Sequence, residues 1–298
     1  MRIALATCEE LPEWEVDDRP LHEAIRSHQI DFDQPCWSDS AVDWTAYDCC
    51  LIRTTWDYAH RRAEFVTWAE ETAGLTRLLN PINTIRWNTC KSYLRDLENA
   101  GIPIIPTHWL ESGEQFDLKG ILDDHGWQRG FIKPRIGATA RGTFRFDPND
   151  KSLIEAEHHL STLLETEAVL VQPYLSSVEH AGERSAIFID GVLTHAVEKI
   201  PAPGDYRVQD DFGAIDRPCR LGADELKLVE HVMCTLQANP SWTGEQNAPP
   251  LYARVDFLKH DEIPLVNEVE LVEPSLFFRH CPRSAEALAD SLIARLRS

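Results

Sequence analysis

The sequence lacks any apolar run that approaches the roughly 20 residues that a helix needs to cross a bilayer. Its first apolar run, RIALAT at residues 2–7, is closely followed by acidic residues, which predicts a β-strand rather than a signal peptide. We therefore expect a cytoplasmic protein without a membrane partner.

Positive charge is also scarce. Lys and Arg together number 29 against 49 Asp and Glu, which gives a formal net charge of -20. A chain this acidic repels nucleic acids and anionic membranes, so we expect neither as a partner. A net negative charge still permits a phosphate ligand, provided that the few cations are concentrated at one place.

Paired cysteine motifs are absent as well. The eight cysteines form no C-x-x-C pair and have no histidine at zinc-ligand spacing, so we expect the reduced thiols of a cytoplasmic protein. No Ser-His or Cys-His arrangement indicates a protein nucleophile. Because neither a heptad repeat nor a large apolar stripe is legible, the sequence leaves the oligomeric state open, with a homo-oligomer among the alternatives.

What the sequence does contain is the strand and helix order of an α/β protein. RIALAT and CCLIRT, the latter at residues 49–54, are strand-like runs, and each precedes a helical pattern, the second with Phe65 and Trp68 on its apolar face. This order predicts a small N-terminal domain with a parallel sheet over residues 1–80. The Asn80-Pro81 pair breaks the pattern and predicts a boundary.

The second strand ends at a polar and aromatic segment, RTTWDY. In parallel sheets, ligands bind beyond the carboxyl ends of the strands. There, Arg53, Thr54, Trp56 and Asp57 could offer a cation, a hydroxyl, an aromatic ring and an acid to a small substrate that carries both charges. The alternative is a capped loop with Trp56 and Tyr58 in the core.

A single lysine, Lys91, stands at an unfavourable place. The sequence predicts a helix over about 89–100, stopped by Gly101, and then a strand with Pro103 and Pro106 at its edges. In the first turn of that helix a lysine opposes the helix dipole, which a nearby anionic ligand would explain. A plain surface lysine is the alternative.

A glycine-containing loop follows in the segment GFIKPRIGATARGTFRF, residues 130–146. The loop carries Gly137 and Gly142 between two strand-like runs and follows Lys133. Such a hairpin can close over phosphates with its backbone N–H groups while the lysine supplies charge. It is not a Walker A loop, because no Lys-Ser/Thr pair follows the second glycine.

The rest of the chain alternates strands and helices. AVLVQPYL at residues 168–175 predicts a strand, and 182–199 predicts a hairpin about Asp190-Gly191. Amphipathic helices are predicted at about 223–238 and, as the closing element, at 284–297.

A second hairpin is predicted at residues 251–274. In its first run Arg254 and Asp256 share a face. In the second run Leu265, Val269 and Leu271 share a face, which leaves Glu268 and Glu270 on the opposite one.

If the two polar faces coincide, three carboxylates and one guanidinium converge. Carboxylates packed that closely need cations to stay ionised, and hard oxygen ligands suit Mg²⁺, which often shares its remaining positions with nucleotide phosphates. The alternative is a solvated edge hairpin with scattered acids.

Taken together, these segments resemble the ATP-grasp superfamily over nearly the whole chain. The order carries the resemblance: a lysine at a helix start, a Lys-Pro before a Gly-rich hairpin, a strand ending in Gln-x-Tyr-Leu, and Arg-Val-Asp followed by Glu-x-Glu. The last element resembles the Arg-x-Asp and Glu-x-Asn pattern of D-alanine:D-alanine ligase and glutathione synthetase. Four segments are similar to the group that includes O-ureido-D-serine cyclo-ligase: RTTWDY, WNTCKSYL, HAVEKIPAPGDYRVQDDFG and VEPS.

The resemblance implies an α/β fold of three parts. The N-terminal domain at 1–80 would face the substrate, while two α+β subdomains, a lid subdomain at 81–172 and a metal-binding subdomain at 173–298, would sandwich ATP.

The resemblance also implies roles for individual residues. Lys91 and Lys133 would hold the α and β phosphates, and the segment from Gly137 to Gly142 would form the lid. Adenine would bind to the backbone of Gln172, Tyr174 and Leu175, and the ribose to either Glu179 or Glu183. Lys199 would lie near the γ-phosphate, Arg207 contact phosphate or substrate, Arg254 face the reacting carbonyl, and Asp256, Glu268 and Glu270 bind Mg²⁺, as two ions, or Mn²⁺.

The expected activity is ATP-dependent ligation of a carboxylate to an amine through an acyl phosphate, with a small amino-acid-like substrate and closure of a ring among the outcomes. A dipeptide-type ligase, a kinase of the same fold and a non-enzymatic acidic metal-binding module are the alternatives. One departure is Glu270, which stands where the ligases usually have asparagine and should tighten metal binding.

Overall fold

The structure is a computed structural model that describes residues 1–9, 11, 15–244 and 248–297. These residues form three sheets, one parallel and two antiparallel, with helices packed against them. Short 3-10 turns lie between the main elements, at Val16–Asp18, Trp44–Ala46, Trp56–His60, Asp210–Phe212 and Phe278–His280.

The N-terminal part alternates strands and helices. Its elements are β1 (Arg2–Thr7), α1 (Arg19–Ser27), β2 (Asp31–Asp33), β3 (Cys49–Thr54), α2 (Arg62–Leu75) and β4 (Arg77–Leu79). The four strands are parallel, in the order β2-β1-β3-β4. Phe65 and Trp68 pack on the sheet as their spacing predicts. The predicted parallel sheet is confirmed, and it directs the end of β3 toward the centre of the molecule.

The middle part carries the predicted glycine hairpin. Its elements are α3 (Ile82–Asn88), α4 (Tyr93–Asn99), β5 (His108–Leu110), α5 (Leu118–His125), β6 (Gly130–Pro134), β7 (Phe144–Phe146), α6 (Asp150–Leu164) and β8 (Val169–Pro173). The strands are antiparallel in the order β5-β8-β6-β7, so the glycine loop joins the two neighbouring strands β6 and β7.

The helix predicted over 89–100 is wrong in its first turn. Lys91 lies in a turn between α3 and α4, because its backbone N–H donates to the carbonyl of Arg135 at 2.8 Å instead of to a helical carbonyl. This bond joins the turn to the glycine loop. Lys91 therefore precedes α4 and does not lie within a helix whose dipole it would oppose.

The strand predicted between Pro103 and Pro106 is also wrong. The segment makes an isolated bridge from Ile104 to Val266, and the strand proper is β5, which begins at His108. Proline has no N–H to donate to a ladder, so two prolines so close together limit the pairing to that bridge.

The last part contains a five-stranded antiparallel sheet in the order β11-β10-β9-β12-β13. Its elements are α7 (Ser177–Ala181), β9 (Glu183–Ile189), β10 (Val192–Ile200), β11 (Ile215–Cys219), α8 (Ala223–Ala238), α9 (Pro240–Thr243), β12 (Tyr252–His260), β13 (Ile263–Glu270) and α10 (Pro282–Arg297). Both predicted hairpins are confirmed. Asp190 and Gly191 have positive φ angles of 48° and 78°, as a tight hairpin turn requires.

A bulge interrupts the second hairpin. Asp256 pairs with Glu268 but Phe257 pairs with Val266, so Asn267 is an extra residue in β13. The bulge reverses the alternation beyond it. Leu265 was expected to share a face with Val269, which is wrong: Val266 packs with Val269 under α8, while Leu265 packs on the opposite side.

The closing helix α10 returns to the N-terminal part. Its apolar residues Leu288 and Leu292 pack with Leu21 and Ile25 of α1 in one core. None of the helices within the described ranges is both long and apolar enough to span a bilayer. The domain limits at residues 80 and 172 stay predictions.

Candidate active site

A cavity of about 340 Å³ lies among the three sheets and receives charged side chains from both antiparallel sheets. Its cations are Lys91, Lys133, Lys199, Arg207, Arg254, Arg141 and Arg279, and its acids include Glu183, Asp256, Glu268, Glu270 and Glu273. The cavity therefore brings cations and acids together, and its lysines and arginines are the groups that could meet an anionic ligand.

The second hairpin forms the floor of the cavity. Its register places Arg254 opposite Glu270 and Asp256 opposite Glu268, so the two polar faces coincide as predicted. Arg254 Nε donates to Asp256 Oδ1 at 3.0 Å, and its Nη2 donates to Glu270. Asp256 is only 2% exposed, so the hairpin is not a solvated edge at this place.

Two lysines from the middle part converge on the same acid. Lys91 Nζ lies 3.1 Å from Glu268 Oε2, and Lys133 Nζ lies 3.4 Å from Glu268 Oε1. Lys133 Nζ also donates to Asn267 Oδ1 at 3.1 Å. Segments distant in sequence thus meet at one carboxylate.

A third lysine joins from β10. Lys199 Nζ forms an ion pair with Glu183 and lies 3.3 Å from Asp256 Oδ2. Asn267 donates from Nδ2 to the other oxygen of Glu183. The chain of pairs runs without a break from Lys91 to Arg254, which holds every side chain in one arrangement.

The balance of these charges appears in the pKa values. Burial would raise the pKa of Asp256, but Arg254 and Lys199 outweigh it and lower that pKa to about 2. Burial raises the pKa of Glu270 to about 7, helped by Asp256 and Glu268 and opposed by Arg254. The hairpin therefore holds more negative charge than its own cations neutralise.

The hairpin acids suit a divalent ion that other ligands complete. In the described part of the chain, no three His, Cys, Asp or Glu side chains are already arranged to hold a metal by themselves. Asp256, Glu268 and Glu270 nevertheless offer hard carboxylate oxygens, and the excess charge at Glu270 calls for a cation. Mg²⁺ is commonly held by one or two carboxylates together with waters and phosphate oxygens, so the donor set fits it.

The glycine loop reaches over the cavity. The carbonyl of Gly137 accepts a hydrogen bond from Lys91 Nζ at 3.1 Å. Gly142 has φ 66°, and a Cβ there would lie 2.8 Å from Pro134, so only glycine fits this close approach. At the far side of the opening, the hydroxyls of Thr143 and Tyr206 are 3.1 Å apart.

The strand end at 172–175 forms another wall. Gln172 is buried and donates to Thr107 Oγ1 at 2.8 Å, and Tyr174 and Leu175 line the cavity. Glu179 accepts a hydrogen bond from Tyr174 Oη at 2.5 Å. Its side chain is 38% exposed and does not line the cavity.

The RTTWDY segment contributes less to the cavity than its position suggests. Arg53 is buried in a two-bond pair with Asp18, with both distances 2.8 Å, and Thr54 donates to Thr7 at 2.8 Å. Asp57 accepts from Trp37 and from Arg61. Of the four residues predicted to bind substrate, only Trp56 lines the cavity.

Arg207 lies at the rim. It pairs with Asp205, with Nε 3.0 Å from Oδ1, and its guanidinium lies 3.7 Å from the centroid of Phe212. Both contacts lie in its own loop, so neither ties the Arg207 side chain to another part of the described structure.

Several residues of the site were missed from sequence. Asn267 enters the site through the bulge, which alternation alone does not reveal. Glu273 and Arg279 line the cavity from the loop after β13. The motif VEPS marked that loop without giving its acid a role.

The chain matches two family models and two proteins of known name. Residues 3–80 match the D-cycloserine synthetase DcsG N-terminal domain, and residues 106–242 match the prokaryotic glutathione synthetase ATP-grasp domain. Cycloserine biosynthesis protein DcsG of Streptomyces lavendulae is 33% identical over 291 residues, covering 94% of either chain. Glutathione synthetase of a Synechocystis strain is 28% identical over 125 residues, 41% of this chain and 37% of that protein.

Solved structures agree with these matches. The crystal structure of D-cycloserine synthetase DcsG has a TM-score of 0.86 at 31% identity and covers 99% of this chain and 100% of that one. D-alanine–D-alanine ligase from Bacillus anthracis complexed with ATP has a TM-score of 0.66 at 16% identity, covering 100% and 97%, which shows a common fold.

Fold, cavity and these matches define the class: an ATP-dependent ligase that forms carbon–nitrogen bonds. The chain belongs to the ATP-grasp family, and within it to the group of D-cycloserine synthetase. Ligases of this family use ATP and Mg²⁺.

Proposed function

We propose that the protein closes a ring within one amino-acid-like molecule, as in the conversion of O-ureido-D-serine to D-cycloserine. The observation that carries this proposal is the similarity to the cycloserine biosynthesis protein over 94% of the chain, which includes the N-terminal part that contributes Trp56 and Tyr58 to the cavity. The dipeptide ligases share the fold at much lower identity.

ATP would lie between the glycine loop and the hairpin. Lys91 and Lys133 would leave Glu268 to bind the α and β phosphates, and Gly137 to Gly142 would cover them. Adenine would lie against Gln172, Tyr174 and Leu175. For the ribose we favour Glu183 over Glu179, because Glu183 lines the cavity and Glu179 does not.

The acids freed by this exchange would hold the metal. Asp256, Glu268 and Glu270 would bind two Mg²⁺, with Mn²⁺ as a substitute, and the bound metal would neutralise charge on the phosphoryl group. Lys199 would turn from Glu183 toward the γ-phosphate, and Arg207 would close on phosphate or substrate.

The chain's own groups then support two steps. The substrate carboxylate oxygen attacks the γ-phosphorus, the bond to ADP breaks, and an acyl phosphate forms. The nitrogen of the same molecule attacks the carbonyl carbon, loses a proton and expels phosphate, while Arg254 stabilises the oxyanion. With O-ureido-D-serine that nitrogen carries a carbamoyl group, so one water must hydrolyse this group to CO₂ and ammonia for D-cycloserine to form. Ring closure gains an effective molarity that reaches about 10⁵ M or more in well-oriented systems.

The test is release of ADP and phosphate with ATP and Mg²⁺ across a panel of amino acids, with O-ureido-D-serine alone and with pairs of amino acids. Release with the ureido compound alone and a cyclised product by mass spectrometry supports ring closure. Release only with pairs would replace ring closure by dipeptide-type ligation. Release of a phosphorylated substrate without an amine would indicate a kinase.

A further inference from the structure

Glu273 is a cavity acid that the roles above leave unused. It lies in the loop after β13, is 9% exposed and lines the cavity. Asp256, Glu268 and Glu270 each form an ion pair with a lysine or arginine. In the part of the chain that the structure describes, Glu273 forms none.

Two of its neighbours come from the N-terminal part. Trp56 Nε1 donates to the Glu273 carbonyl at 3.1 Å. Burial raises the pKa of the Glu273 carboxyl, and Tyr58 lies close enough to oppose that rise. Both aromatic residues line the cavity themselves. The backbone of Glu273 is thus held by the turn that follows β3.

The missing ion pair indicates the chemistry of the ligand. A buried carboxyl without an ion pair is costly, and here burial and Glu270 raise the pKa of Glu273 to about 8, although Lys91 and Arg254 lie near enough to oppose that rise. A primary ammonium offers positive charge and three N–H donors, and aromatic side chains next to the acid suit an ammonium as well.

We propose that Glu273, held at the cavity by the turn that follows β3, binds the α-ammonium of the amino-acid substrate. This inference rests on the proposed function, because it assigns one end of that substrate. The carboxylate being activated then lies toward Arg254, and Glu273 excludes carboxylic acids that have no amino group.

A cycle of two changes tests this contact. One change is Glu273→Gln, and the other replaces O-ureido-D-serine by its des-amino analogue, 3-(carbamoylaminooxy)propanoic acid. A hydrogen bond to a charged group corresponds to about 10- to 150-fold in kcat/KM. We expect each change alone to lower kcat/KM by about that factor, and both together to lower it little further.

Two additive losses would overturn the proposal, because they show that the carboxyl and the amino group do not interact. Tyr58→Phe keeps the acid but removes the hydroxyl beside it, so we expect a smaller loss that is also confined to the amino substrate. Glu262→Gln, at a side chain 92% exposed in the hairpin turn, is the matched control. The KM for ATP should stay unchanged in Glu273→Gln, which also shows that the variant folds.

The outcomes separate the two proposals. The cycle is run with whichever α-amino acid supports ADP release and with the des-amino counterpart of that acid. Release only with amino-acid pairs contradicts ring closure and leaves the test of Glu273 intact. Release from des-amino acids as readily as from amino acids contradicts the role of Glu273, and no release with any amino acid contradicts both.

Discussion

The two ends of the cavity handle buried charge in opposite ways. At the hairpin end, Asp256, Glu268 and Glu270 are all paired with cations. At the end near β3, Glu273 forms no ion pair with any described residue, although Lys91 and Arg254 act on its charge from farther away. One end is filled with its own ion pairs, whereas the acid at the other end has no ion-pair partner among the residues that the structure describes.

The difference shows how each end can receive a ligand. At the hairpin, phosphates can bind only by taking lysines from carboxylates, which then need metal ions in their place. Nucleotide and Mg²⁺ are therefore expected to bind together at that end. At Glu273 no pair has to be broken, so a cationic group can add directly. The following predictions test this contrast.

The largest effect is expected from Lys133→Ala. This lysine is buried, meets both Glu268 and Asn267, and would bind the phosphates together with Lys91, so its removal takes away one of the two charges proposed for them. We expect loss of measurable ATP binding, at least about 100-fold in Kd by titration calorimetry. Lys227→Ala is the control, because its side chain is 75% exposed and pairs with Asp224 on the surface of its own helix. Unchanged ATP affinity in Lys133→Ala would contradict the binding of the nucleotide at the hairpin end of the cavity.

Arg254→Ala should separate binding from chemistry. Its guanidinium faces the cavity between Asp256 and Glu270, where an oxyanion would form. Loss of one oxyanion donor lowers kcat by about 10² to 10³. We expect that loss in ADP release while ATP affinity stays within a few-fold. Normal turnover in this variant together with Lys133→Ala would contradict the assignment of the site.

The sequence was a better guide to the hairpin end than to the other. Alternation along two strands fixed which side chains face one another, so the meeting of Arg254, Asp256, Glu268 and Glu270 followed from the pattern. Resemblance to a family added Lys91 and Lys133, which lie more than a hundred residues away from the hairpin.

The other end depends on loops, and loop contacts leave no periodic signal. Trp56 meets the backbone of Glu273 across 217 positions of sequence, and Arg53 turns to Asp18 instead of the cavity. The bulge at Asn267 was missed for a related reason, because one inserted residue does not disturb the composition of a strand. The sequence placed the RTTWDY segment at the correct strand end, but it did not show that Trp56 alone of its four predicted substrate residues lines the cavity.

Glu270→Asn should sharpen the role of the hairpin acids. The change introduces the residue usual in related ligases and removes one negative charge from a site in which Glu270 has a pKa of about 7. We expect the Mg²⁺ concentration for half-maximal ADP release to rise about tenfold, which is about 1.4 kcal/mol, with kcat at saturating Mg²⁺ retained. Glu262→Gln, at an exposed turn, should leave the Mg²⁺ dependence unchanged.

The smallest effect concerns the ligand-free protein and its pH dependence. The pKa of Glu273 is raised from 4.5 to about 8, so between those values the folded protein keeps a proton that the unfolded chain releases. The stabilising contribution is complete below about pH 4.5 and is lost as the pH rises through about 8. Glu273→Gln removes this contribution but leaves the similar one of Glu270.

We therefore expect the melting temperature of the wild type to fall more steeply between pH 5 and pH 8 than that of Glu273→Gln, by about 2–4 °C for each kcal/mol lost. Scanning calorimetry without ligand measures this difference. Parallel curves for the two proteins would mean that Glu273 is already compensated by a charge. The contrast between the paired hairpin and the unpaired acid near β3 would then disappear.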